Sequence, residues 1–113
     1  MTSQTEVVRR SFACYLNQDR EAAETLIADG FVFTSPQDDH IDRATYFAKC
    51  FPTADRFDEF ALLHVVPTED DEHVLAVYEY GLADGERYRN AELYRVADGK
   101  LHEVEVFFGG RTG

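Results

Sequence analysis

The groups in this chain able to do chemistry fall into a few sets. Glu92 lies in Asn90-Ala91-Glu92-Leu93-Tyr94, an alternation that puts Asn90, Glu92 and Tyr94 on one face of a strand. A carboxyl on an inward face is desolvated, its pKa rises, and it becomes suited to general acid or base work. On an outward face the same residue is an ordinary surface glutamate, or the partner of Arg89 or another arginine. Asn90 can offer a ligand a hydrogen bond or simply satisfy the strand. The second set is Asp39-His40. An aspartate beside an imidazole sets its tautomer and raises its basicity. The plainer reading is a capping loop, because Asp38, Asp39 and Asp42 precede an expected helix, where negative charge suits the helix dipole. The third set is Tyr15, Tyr46, Tyr78 and Tyr80, joined by Phe108. Tyrosines give apolar surface with a hydroxyl at the tip, as a pocket for a small ring-bearing molecule requires. Glu92, Asp39 and His40 are thus the catalytic candidates, and the others the ligand-binding ones.

Other chemistries find no support. The chain lacks a phosphate-cradling glycine loop, a Gly-x-Ser-x-Gly elbow and a His-Glu-x-x-His helix. His40, His64, His73 and His102 share no metal-ligand spacing, so neither a metal nor a cofactor is expected. His64, His73 and His102 have no evident partner in the sequence. Cys14 and Cys50 form no close-spaced pair and read as reduced, buried thiols, which implies a cytoplasmic setting.

The elements that must position these groups follow from periodicity. Ser3 and Glu6 form a capping box for a first helix, with Val8, Phe12, Tyr15 and Leu16 as its apolar stripe. Asp19 caps a second helix, Arg20 to Ala28, stopped by Asp29-Gly30. Phe31 to Thr34 is a short strand ended by Ser35-Pro36. Asp42 caps a third helix that buries Tyr46, Phe47, Cys50 and Phe51, and Pro52 ends it. After Pro52 the period becomes two. Strands are expected over Phe57 to Val66, His73 to Leu82, Glu86 to Ala97 and Lys100 to Phe108. Hairpin turns fall at Ala83-Asp84-Gly85 and Ala97-Asp98-Gly99. A three-residue turn with a bulge at Ala83-Asp84-Gly85 pairs Leu82 with Glu86, Tyr80 with Tyr88, Tyr78 with Asn90 and Ala76 with Glu92. A two-residue turn would flip Tyr78 and Tyr80 relative to Asn90 and Glu92. His102, Val104, Val106 and Phe108 share the inner face of the last strand. The layout is α+β, a curved antiparallel sheet wrapped around three N-terminal helices.

At 113 residues the chain suits a single domain over residues 1–113. Its 22 acids against 11 Lys and Arg give a net charge of −11, which argues against nucleic acid or an anionic membrane as partner. The start, Met1 to Glu6, is polar, and no apolar run approaches the roughly 18 residues a membrane span needs, so neither a secretory signal nor a membrane anchor is expected.

Three stretches carry a resemblance: Phe31-Val32-Phe33-Thr34-Ser35-Pro36, Asp38-Asp39-His40-Ile41-Asp42, and Asn90 through Leu101. Phe107-Phe108-Gly109 completes it. With the order of elements they resemble the nuclear transport factor 2-like superfamily, nearest its SnoaL-like and ketosteroid-isomerase-like branch, over essentially the whole chain. The resemblance implies a cone with an apolar pocket between sheet and helices, and a homodimer formed through the outer sheet face. It does not select an activity, because the superfamily hosts isomerases, dehydratases, cyclases, epoxide hydrolases and non-catalytic binders. Ketosteroid isomerases place their base aspartate where this chain has Ser35, and their first-helix tyrosine where it has Ser11. Their second oxyanion donor, a protonated aspartate, matches Glu92. SnoaL-like cyclases carry an inward acid on the last strand, where this chain has Val104, Val106 and Phe108. Dehydratases of this fold pair a histidine with an aspartate and tyrosines, residue types that His40, Asp39, Tyr78 and Tyr46 supply. The implied function is acid–base chemistry of isomerase, dehydratase or hydrolase type on a small ring-bearing or lipophilic molecule. The alternative is a non-catalytic small-ligand binder or dimeric scaffold.

Overall fold

The computed structural model describes residues 3–112; Met1, Thr2 and Gly113, including the start of the polar leader read above, lie outside them. Helix α1 spans Gln4–Asn17, and the Ser3 hydroxyl accepts the Glu6 backbone N–H at 3.2 Å, as the capping box requires. Its buried face is Val7, Val8, Phe12 and Cys14, so the stripe is rotated toward Val7, and Leu16 is left at the surface. Helix α2 spans Arg20–Leu26, with the Asp19 carboxylate accepting from Ala22 N–H. It ends before the expected Ala28. Ile27 is already extended and opens strand β1, Ile27–Thr34, so Asp29-Gly30 lies inside a strand rather than at a helix stop. The cause is tertiary. Ile27 and Ala28 are buried, and Ile27 pairs across the sheet with Leu101. Carbonyls on either side of the α2 end are taken by Arg43, which donates to Glu24 O at 2.9 Å and Ile27 O at 3.2 Å. A long-range side chain does the work expected of a glycine.

Strand β2 is the pair Ile41–Asp42, followed by α3, Arg43–Lys49, whose N-cap Asp42 accepts from Thr45 N–H at 2.9 Å. Hydrogen bonding by the Thr45 side chain, and next by its backbone N–H, holds the Asp42 carboxyl below its usual range. A 3₁₀ segment, Phe51–Arg56, carries the chain past Pro52. The long strands are β3 Phe57–Pro67, β4 His73–Leu82, β5 Arg87–Ala97 and β6 Lys100–Arg111. They form one six-stranded sheet in the order β2-β1-β6-β5-β4-β3. The α+β layout is as expected, with one difference: β1 runs parallel to β6, so the sheet is mixed rather than purely antiparallel.

Register follows the turns. Leu82 N–H donates to Glu86 O at 2.9 Å, and Gly85 takes φ +88°, closing the three-residue loop. Tyr80 then pairs with Tyr88, Tyr78 with Asn90 and Ala76 with Glu92, as the turn chemistry predicts. At the next hairpin Asp98 and Gly99 both have positive φ, the two-residue form that Asp-Gly favours. One expectation on β6 is corrected. Val96 pairs with Leu101 and Arg95 with Glu103, which leaves His102 bulged out. Leu101, not His102, therefore joins Val104 in the core, and His102 Nε2 lies 3.1 Å from Ala97 O. His73 is not partnerless either, since its Nδ1 lies 2.8 Å from Asp70 Oδ2.

The core lies between the concave sheet face and α1 to α3, built on Val7, Val8, Phe31, Phe47 and Val74, each at most 2% exposed. Burying each of the two phenylalanines contributes about 1.5 to 3 kcal/mol. Phe47 also receives the guanidinium groups of Arg20 and Arg43 at 4.9 and 5.0 Å from its ring centroid. Among the described residues no helix is long and apolar enough to cross a membrane.

Candidate active-site cavity

Sheet and helices do not close completely. Between them lies a cavity of about 540 Å³, lined by residues of α1, α3, the 3₁₀ segment and the inner faces of β1, β4, β5 and β6. Glu92, Asn90, Tyr15, Tyr46, Tyr78, Tyr80 and Phe108 all line it. Asp39 and His40 do not. They are well exposed, paired to each other at 2.6 Å outside the cavity, with His40 at φ +50°. The loop that holds them contributes Asp38 instead.

Glu92 is the centre of a polar network set in an aromatic wall. Tyr78 Oη donates to Glu92 Oε2 at 2.5 Å, and Tyr94 Oη donates to Oε1 at 2.6 Å. Asn90 Nδ2 donates in turn to Tyr78 Oη at 3.3 Å, while Asn90 Oδ1 accepts Gly109 N–H at 3.3 Å. The donors therefore run in one direction, from β6 backbone to Asn90 to Tyr78 to Glu92, and each bond polarises the next. Packing holds the rings. Phe12 meets Tyr78 edge-on at 5.4 Å and Tyr94 at 6.0 Å, and Phe60 stacks on Tyr78 at 5.2 Å. Asn90, Tyr78 and Tyr94 are buried. Glu92 keeps some accessible surface, and that surface faces the cavity.

Burial raises the Glu92 pKa above its ordinary 4.5, opposed by the hydrogen bonds from Tyr78 and Tyr94. Among the described residues no basic side chain forms an ion pair with it; Arg89 pairs with Glu79 on the opposite face. Burial and then the Glu92 charge push both tyrosines far up, so their hydroxyls stay protonated and remain donors. Burial likewise raises Tyr46 strongly. Tyr15, also raised by burial, shares a 2.8 Å hydrogen bond with Thr53.

A second polar group sits among Ser35, Asp38, Lys49, Cys50 and Arg56, all on the cavity wall. Ser35 Oγ donates to Asp38 Oδ2 at 3.3 Å, and Cys50 Sγ approaches the same oxygen at 3.9 Å. Burial first, and the Asp38 charge next, push the Cys50 thiol up to about 11 against the pull of Lys49 and Arg56. That shift favours the protonated thiol over the thiolate a nucleophile needs. Tyr94, Asp38, Lys49 and Arg56 are not among the catalytic or ligand-binding candidates the sequence offers. For Tyr94 a signal existed, since it shares the face of Glu92 and Asn90.

A mixed sheet curled around three helices with a cavity at its centre is the nuclear transport factor 2-like fold, and solved proteins of that description match this chain. Within it, the chain belongs to the SnoaL-like domain family, whose profile matches residues 8–104. A protein of Kribbella flavida DSM 17836 is similar at 20% identity and TM-score 0.81, over 96% of this chain and 88% of that one. A candidate polyketide cyclase from Pseudomonas putida KT2440 is 17% identical with TM-score 0.72, over 96% and 92%. A candidate ketosteroid isomerase from Kribbella flavida DSM 17836 is 18% identical with TM-score 0.74, over 96% and 78%. At such identities the likeness is one of fold. No curated protein is a significant match.

Proposed function

We propose that this chain acts on a small ring-bearing or lipophilic molecule by acid–base chemistry of isomerase, dehydratase or hydrolase type, with Glu92 moving the proton. One observation carries the reading: a deeply set carboxyl faces an aromatic cavity, held by tyrosine hydroxyls and no cation. A carboxyl so placed exchanges a proton with a bound molecule at lower cost than a surface acid, because its charged form is less favoured. Tyr78 and Tyr94 stabilise the charge when Glu92 gives its proton up, and Asn90 keeps Tyr78 oriented. The experiment is turnover by Glu92→Gln on a substrate found by screening lipophilic ketones, epoxides and hydroxy compounds. A loss of roughly 10² to 10⁴-fold is expected, the usual worth of one positioned acid or base. Full turnover by the variant removes Glu92 from the role.

A second reading is a non-catalytic ligand binder. Its support is that both Glu92 oxygens already have donors, and that the ketosteroid-isomerase resemblance puts serines, Ser11 and Ser35, where those enzymes carry a tyrosine and the base aspartate. A ligand that raises Tm and is recovered unaltered supports it. In either reading we place the protein in the cytoplasm as a homodimer. Support for the dimer is apolar rows across the outer sheet face, where Phe107 lies opposite Ala91 and Ala91 opposite Val77. Leu93, Leu75 and Val66 form the neighbouring row, and Phe107 and Val66 are exposed.

A further inference from the structure

We infer that the molecule bound in this cavity carries a single anionic group, a carboxylate, which sits at the rim between Lys49 and Arg56 while its apolar body reaches toward Glu92. The inference rests on the ligand-pocket reading above and adds the charge class of the ligand. In this chain acids outnumber Lys and Arg by 22 to 11, so a basic group has many potential partners. Arg10, Arg20, Arg87, Arg89 and Arg111 each pair with a glutamate. Six basic residues, Arg9, Arg43, Lys49, Arg56, Arg95 and Lys100, pair with no carboxylate among the described residues, and of these Lys49 and Arg56 alone line the cavity, although Asp55, Asp58 and Glu59 are close to Arg56 in sequence. Both are exposed at their outer ends and both line the cavity.

Arg56 is also held in place. The Arg56 guanidinium lies over the Phe57 ring at 4.9 Å from its centroid, and Phe57 is itself cavity wall. Lys49 ends α3, directly before Cys50. The positive charges of both reach the Cys50 sulfur, where they oppose burial and Asp38. Lys49 also complements the α3 dipole, but that role leaves its ammonium free to meet a ligand. Asp38 limits the charge of the guest. Two cations and one carboxylate leave the rim at formal +1, which suits a carboxylate better than a phosphate dianion.

Matched probes separate the possibilities: 2-naphthoate, its uncharged amide 2-naphthamide, and 2-naphthyl phosphate, titrated calorimetrically into the full chain. The parent protein is expected to bind naphthoate roughly three- to tenfold more tightly than the amide, as two exposed ion pairs allow. In the Lys49→Gln/Arg56→Gln double variant that ratio falls to near one. Rising salt shrinks the parent's preference, as screening demands. Equal binding of acid and amide by the parent overturns the inference and leaves the pocket reading standing. A preference that survives the double variant also overturns it. Tightest binding by the phosphate overturns the carboxylate assignment. If neither naphthoate nor naphthamide binds, the inference fails together with the pocket reading.

Discussion

At Glu92 a single carboxyl couples the cavity to the stability of the fold. Its pKa is raised in the folded protein above the ordinary 4.5. The folded state therefore holds this proton more tightly than the unfolded chain. The resulting stabilisation is fully present below about pH 4.5 and is lost as pH rises through the folded value. Glu92→Gln cannot ionise and escapes that loss. Urea denaturation of parent and variant from about pH 4 to about pH 8 should show the variant gaining stability relative to the parent as pH rises. A difference that stays flat contradicts a buried, proton-retaining Glu92. This residue and Asn90 were legible in the sequence because one turn length fixes which face of β5 looks inward. Asp38, Lys49 and Arg56 were not. They come from a loop and two helix ends whose meeting point depends on how α3 and the 3₁₀ segment pack, and no local period reports that. Asp39 and His40 show the converse: their mutual hydrogen bond was readable from adjacency, but not their position outside the cavity.

Among the elements, β5 and β6 carry the site, and their approach depends on one glycine. A Cβ added at Gly109 would lie 2.1 Å from the Arg89 carbonyl oxygen. The pairing shifts register just here, between Tyr88 and Asn90, and Gly109 N–H holds the Asn90 side chain. Gly109→Ala must push β6 away from β5. It should destabilise the protein by about 1 to 3 kcal/mol, the usual cost of overpacking. It should also weaken ligand binding by loosening Asn90. An unchanged denaturation midpoint would show that the strands yield freely. Most element boundaries were readable from caps and periods: Ser3, Asp19 and Asp42 each cap the helix that their sequence position announces. The end of α2 was misplaced because Arg43, distant in sequence, replaces the local glycine signal; β1 accordingly opens at Ile27 rather than Phe31, and β6 runs past Phe108 to Arg111. The bulge at His102 was hidden for a similar reason, since apolar Leu101 and Val104 take the inner face across a break in alternation.

For the whole molecule, the net charge of −11 opposes self-association, whereas the outer sheet face favours it. The apolar rows around Phe107 should prevail at moderate salt, where the Debye length is about 8 Å. Light scattering at micromolar concentration is expected to give a dimer mass, and Phe107→Lys a monomer. A monomeric parent protein would discard the dimer. The order of the strands has a different consequence, for the way the chain reaches its native state. β1 precedes the other long strands, yet among the described residues its only partner apart from the two-residue β2 is β6, which follows them all. On the ribosome the backbone groups of β1 must wait, unpaired on one side, until β6 has emerged. The β3–β4–β5 meander can form meanwhile, because its contacts are between neighbours in sequence. Closure of the cavity thus waits for β6, and a ribosome that stalls before β6 leaves a chain with an open sheet edge on either side of the gap, a form prone to pair with its neighbours.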